Sequence, residues 1–269
     1  MRKLLATMLM LNFFNCSSSP TNLTLSEVKL PNPDRVFGYQ EGGKTFNASL
    51  YSAKGTRPSN KLVVVVHEWW GANEYSMSRA SMLAQAGHDA LVVDLYGDQS
   101  RGDTPEAAMA LAKPFYDQPK LGVERLKRFL ALVKKDKALK NKEIVAVGYC
   151  FGGTQVLNLA RSGMKLKAVV SFHGGLVTPG MKMKSAKTEV VVFHGESDPM
   201  VPQKDVDAFK AELNDSKTKL AFYSYPGATH AFTNPKATEV GKKYNLPVAY
   251  DETADHDSWS KLLTFLKVN

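Results

Sequence analysis

The chain is poor in cysteine: Cys16 and Cys150 are the only two in 269 residues. That scarcity excludes a disulfide framework, and Cys150 has no neighbouring resolving thiol of the Cys-x-x-Cys kind that redox proteins use. Long apolar runs are missing too, since Leu4–Phe14 is too short to anchor a chain across a bilayer. Acidic residues are outnumbered, leaving a formal charge of +9. The lysines are nevertheless scattered through 113–142, 165–187 and 204–219, without a dense basic block or interleaved aromatics. Nucleic-acid binding is therefore not expected, and the excess charge suits a surface near anionic lipid or acidic substrates. His67-Glu68 has no second histidine at the spacing a zinc protease needs. Asp251, Asp255, His256 and Asp257 have the right chemistry for metal ligands, but they read as a solvated loop with Asp257 near the N-cap of the final helix. No metal or cofactor is expected.

The first thirty residues read as targeting rather than fold. Arg2-Lys3 and the apolar run Leu4–Phe14 precede Asn15-Cys16-Ser17-Ser18-Ser19-Pro20, which resembles a bacterial lipoprotein cleavage site with Cys16 as the lipidated residue. Phe13-Phe14-Asn15 replaces the usual leucine and small residues, so an ordinary signal peptide cut nearby is the other reading. Both readings predict export to the bacterial periplasm or cell envelope. The expected division is a signal peptide over 1–15, a lipid anchor or flexible tether over 16–30, and one folded domain over 31–269, acting as a monomer.

The remainder alternates between strands and helices. Arg35–Tyr39 and Lys44–Tyr51 flank Gly42-Gly43 as an antiparallel hairpin. Buried strands are predicted at Leu62–Val66, Ala90–Val93, Ile144–Val147, Leu166–Ser171, Val190–Phe193 and Leu220–Tyr225. Helical spacing marks Glu74–Ala86, Pro105–Phe115, Leu121–Lys137, Thr154–Ala160, Asp205–Asn214 and Ser258–Val268. Continuous apolar strands alternating with helices specify an α/β fold with a doubly wound, mostly parallel sheet.

One turn in this pattern carries chemistry. Gly148-Tyr149-Cys150-Phe151-Gly152-Gly153 joins a strand to a helix with the layout of a nucleophile elbow, cysteine standing where serine is commoner. Gly148 and Gly152 relieve the crowding of so sharp a turn. The turn leaves the thiol at a helix N-terminus, where free N–H groups favour a thiolate. A lone thiol in an exported chain needs a reason, although a buried cysteine acting as a small hydrophobe is the plainer one. In such a sheet, active residues sit in the loops past the carboxyl ends of strands. Two of those loops offer Asp198 and His230, so nucleophile, acid and base follow in the order of an α/β-hydrolase triad. Phe151, the residue after the nucleophile, is placed to turn its backbone N–H toward an oxyanion. Trp69, Trp70 and Phe151 would line an apolar mouth, with core packing an equal role for Trp70. His173 is expected below the site and His88 at the surface.

Six segments together resemble the dienelactone hydrolases, the carboxymethylenebutenolidase-like α/β hydrolases. They are His67–Gly71, Asp94–Gly97, Gly148–Gly153, Ser171–Gly174, His194–Pro199 and Tyr225–Phe232. The resemblance implies an α/β-hydrolase fold and a triad of Cys150, Asp198 and His230, with Glu68 near the thiol helping to control its protonation. It also implies an oxyanion hole from the backbone N–H groups of Phe151 and Trp69. Members that cleave dienelactone hold its carboxylate with arginines, one shortly after the catalytic histidine. Here Ala231-Phe232-Thr233-Asn234 follows His230, and the nearest loop arginine is Arg101. The expectation is an enzyme that cleaves small ester or lactone substrates without a cofactor. A cell-surface binding lipoprotein that keeps the fold without turnover is the alternative.

Overall fold

The computed structural model describes residues 30–184 and 187–268. The expected signal peptide and Cys16, with nearly all of the tether, lie outside the described residues. Among the described residues, eight strands form one sheet: β1 (Arg35–Glu41), β2 (Lys44–Tyr51), β3 (Lys61–Val66), β4 (Asp89–Val93), β5 (Glu143–Tyr149), β6 (Ala168–Phe172), β7 (Glu189–Gly195) and β8 (Leu220–Tyr225). Their spatial order is β1-β2-β4-β3-β5-β6-β7-β8. β1 and β2 pair antiparallel, β2 meets β4 antiparallel, and every pair from β4 to β8 is parallel. This is the mostly parallel sheet with an N-terminal hairpin that the sequence predicts. It is an α/β-hydrolase fold.

The described residues also form seven helices, which cover the sheet: α1 (Glu74–Gln85), α2 (Pro105–Asp117), α3 (Pro119–Lys135), α4 (Phe151–Arg161), α5 (Gln203–Asp215), α6 (Ala237–Tyr244) and α7 (Glu252–Val268). The run Leu62–Val66 is buried on both sides because alternate residues face different layers. Val64 and Val66 pack with residues of α2, α3, α4 and α5, and Val63 and Val65 with residues of α1 and α7. Each fully buried valine contributes about 1.5–3 kcal/mol. That burial explains why β3 carries no polar alternation.

Helix starts follow the caps in the sequence. The Asn73 side chain accepts from the N–H groups of Tyr75 and Ser76, and Thr104 accepts from Ala107 with Pro105 as the next residue. Two elements differ from expectation. α7 begins at Glu252, six residues before the expected Ser258, because Asp251 accepts from the Ala254 N–H and caps it there. Asp257 therefore lies inside the helix and pairs with Lys261 and the Tyr225 hydroxyl. Asp255 is buried against Arg79 at 2.5 Å. A turn that looks solvated in sequence is thus one that packs. α6 has no apolar periodicity to announce it, since only Ala237 and Gly241 are buried. His88, expected at the surface, is buried and hydrogen-bonded to the Ser59 hydroxyl at 2.7 Å.

Candidate active site

Every catalytic residue expected from the sequence sits past the carboxyl end of a parallel strand. β5 ends at Tyr149, and Cys150 follows with φ 53° and ψ −116°, outside the regions that L residues ordinarily populate. α4 begins at once with Phe151. A Cβ on Gly148 would overlap the Gly152 carbonyl, and one on Gly152 would overlap the Val66 carbonyl. The two glycines are therefore required by close approach of α4 to its own strand and to β3. Strain of this kind costs about 1–3 kcal/mol and persists because the surrounding packing fixes it.

The turn brings Cys150 to His230. Cys150 Sγ lies 3.0 Å from His230 Nε2, and His230 Nδ1 lies 2.7 Å from Asp198 Oδ2. Asp198 is fixed in turn by the Met200 N–H, which donates to Oδ1 at 2.8 Å. Burial alone would lower the His230 pKa. Negative charge at Cys150 and Asp198 outweighs it and holds the imidazole well above its usual value. The imidazole is thus placed to carry a proton between the thiol and the carboxylate.

Two further histidines fix the backbone around this trio, each in a tautomer set by a backbone donor. The Cys150 N–H donates to His173 Nδ1 at 3.1 Å, leaving the proton on Nε2, which meets Thr233 Oγ1 at 2.7 Å. Thr233 Oγ1 also meets the Tyr75 hydroxyl at 2.6 Å, and its carbonyl accepts from Arg79 at 2.6 Å. On the other side, the Leu95 N–H donates to His67 Nε2 at 3.2 Å, so Nδ1 donates to the Glu68 carbonyl at 2.6 Å. Burial keeps both rings neutral. His67 stacks on Phe151, and the Tyr96 hydroxyl holds the Trp69 carbonyl at 2.9 Å. The β3–α1 loop is thereby clamped over the first turn of α4. Among the described residues, no group engages the backbone N–H of Phe151 or of Trp69.

Glu68 is buried beside them and accepts from Asn234 Nδ2 at 2.7 Å. Burial raises its carboxyl pKa to about 7, against opposing pulls from Asn234, His230 and Arg79. Asn234, like Thr233 and the elbow-holding role of His173, has no signal in the sequence. Each acts through a partner far along the chain.

These groups open on a cavity of about 230 Å³. Trp69, Trp70, Phe151, Met109 and Tyr116 line it, the last two from α2. Val240, Leu246 and Val248 line it too, on and just after α6. Val248 is tied to the His230 backbone by an isolated parallel bridge. The titratable lining groups are Glu68, Tyr116, Cys150 and His230, with no lysine or arginine among them. Arg101 packs against the backbone at Gly71 and does not line the cavity.

Known proteins share this architecture. A metagenomic enzyme described as a dienelactone hydrolase-like promiscuous phosphotriesterase superposes with a TM-score of 0.75 at 27% identity, covering 87% of this chain and 96% of that one. A putative carboxymethylenebutenolidase of Escherichia coli (strain K12) is 24% identical over 94% of each chain. Protein usf of Aquifex pyrophilus is 28% identical over 76% of this chain and 87% of its own. The family model of the dienelactone hydrolases matches residues 46–269, and the chain belongs to that family.

Proposed function

We propose that this hydrolase cleaves uncharged esters or lactones by thiol catalysis, with Cys150, His230 and Asp198 as its triad. Cys150 Sγ attacks the carbonyl carbon as a thiolate, its proton held on His230 Nε2. The N–H groups of Phe151 and Trp69 receive the oxyanion. Asp198 keeps the imidazole in the productive tautomer and stabilises its charged form. His230 then gives its proton to the leaving alkoxide as the C–O bond breaks, leaving a thioester on Cys150. A water molecule, deprotonated by His230, attacks that thioester and releases the carboxylic acid and the thiol. Glu68 holds a proton near neutral pH beside the sulfur and tunes its ionisation.

The observation that carries this reading is the pair of contacts through the His230 imidazole, 3.0 Å to the thiol and 2.7 Å to the carboxylate, with Cys150 itself held at positive φ. The proposed substrate is uncharged because no lysine or arginine lines the cavity to hold a carboxylate. Dienelactone itself, which carries one, is disfavoured. A neutral phosphotriester meets the same requirement, so it belongs in the substrate panel. Export to the cell envelope, with Cys16 as the lipid attachment, is part of the same proposal; metabolic labelling with palmitate, lost in Cys16→Ala, tests it.

The test is hydrolysis of a short-chain aryl ester by the full chain beside Cys150→Ala and Cys150→Ser, with intact-mass trapping of the acyl adduct. Loss of activity and adduct in the alanine variant is the expected result. A wild-type chain that forms no adduct, and whose thiol resists alkylation, sinks the proposal and favours a surface binding protein.

A further inference from the structure

The end of the sheet opposite the cavity has its own chemistry. The parallel strands start there, and lysines crowd those starts. A second cleft, of about 250 Å³, is lined by Lys134, Lys140, Lys142, Lys165 and Lys167, with Glu143 as its one carboxylate. Lys142 is committed to Asp89 at 2.7 Å, and Glu143 lies 4.0 Å from Lys61. Lys134, Lys140, Lys165 and Lys167 make no ion pair with any described residue. Four uncompensated ammonium groups around one cleft repel one another, and an external anion relieves that repulsion.

The chain enters the fold on this same face. Arg35 opposes Leu50 in β2, and Tyr51 opposes Ala90 at the start of β4, so β1 begins at the sheet edge where the parallel strands begin. Arg35 pairs with Asp136, which caps the helix that carries Lys134. The described chain thus enters the fold on the face that carries the cleft.

We propose that this lysine face docks on an anionic phospholipid surface and holds the catalytic cavity pointing away from it. The docking does not depend on the thiol mechanism. No aromatic residue lines the cleft, so bases have nothing to stack on and nucleic acid is the poorer match. Lysines on flexible stems suit many loosely placed headgroups better than a single clamped phosphate.

The test compares the full chain with a Lys134→Gln, Lys140→Gln, Lys165→Gln, Lys167→Gln variant in co-sedimentation with vesicles. Phosphatidylglycerol-containing vesicles are set against pure phosphatidylcholine, which reports binding by the N-terminal segment alone. The wild type is expected to partition on the order of a hundredfold better than the variant onto anionic vesicles, since each lysine near such a surface adds attraction. The two should bind neutral vesicles equally, and high salt should erase the difference. Equal partitioning of both chains onto anionic vesicles overturns the proposal. So does displacement of the wild type by inorganic phosphate at matched ionic strength, or tighter binding to duplex DNA than to the vesicles. Should the variant fail to fold, acetylation of the wild-type lysines decides between the same outcomes: anionic vesicles must protect these four lysines, and unchanged labelling refutes docking.

Discussion

Replacing Glu68 with glutamine removes a buried carboxyl from the cavity while keeping an oxygen for the Asn234 amide to donate to. Burial holds the folded carboxyl at about 7, against an ordinary value of 4.5. Between those two values the folded chain keeps a proton that the unfolded chain has released. Stability therefore falls as pH rises, by about 1.4 kcal/mol for each pH unit in that window. The contribution is fully present below pH 4.5 and is lost once pH passes about 7. Its sum is about 3 kcal/mol, an order-of-magnitude figure for a fully buried group. Glutamine has no proton to lose. The variant should match the wild type near pH 4.5 and exceed it by about 3 kcal/mol above pH 7. Urea unfolding of both chains, followed by tryptophan fluorescence at several pH values, measures the difference directly, because every other titrating group cancels between them. The pH profile of ester kcat/KM should also lose an inflection near 7. A stability difference that stays flat across the window would refute the reasoning, for the folded carboxyl would then be ionised and could not hold a proton beside the thiol.

Three other perturbations separate positioning from packing. His173→Phe keeps a ring of similar size but removes the acceptor for the Cys150 N–H and the donor to Thr233. Stability should fall by about 1–3 kcal/mol, and kcat should drop with KM unchanged, read from steady-state kinetics on a folded variant. Arg79→Met strands Asp255 in the core between α1 and α7. A loss of about 3–5 kcal/mol is expected in chemical denaturation, largely recovered by the double variant with Asp255→Leu. Asn234→Arg sets a guanidinium beside Glu68 in a cavity lined by no lysine or arginine. Its carboxyl pKa should fall, and the rate on a carboxylate-bearing lactone relative to a neutral aryl ester should rise, as a paired-substrate assay would show.

The fold and the three candidate residues Cys150, Asp198 and His230 were legible for the same reason: both are local patterns read at known places. Leu62–Val66 announces a doubly covered strand by itself, and Gly148, Cys150 and Gly152 announce a strained turn by their spacing. Asp198 and His230 need only the rule that loops after parallel strands hold the site. The contacts that support them are different in kind. His173 reaches the Cys150 N–H across 23 residues, and Asn234 reaches Glu68 across 166. Neither residue type nor spacing encodes such meetings; only the finished sheet brings the loops together. α6 was hidden for a related reason, because its inward face is two small residues and its service is to the cavity rather than to the core. Asp255 misled for the opposite reason, its charge signalling solvent where Arg79 supplies a buried partner. The same separation explains how this chain departs from members that hold a carboxylate. Burial raises the Glu68 pKa to about 7 although the Asn234 amide pulls it down, and no lysine or arginine lines the cavity, so the proposed preference for uncharged esters rests on contacts far from the thiol in sequence.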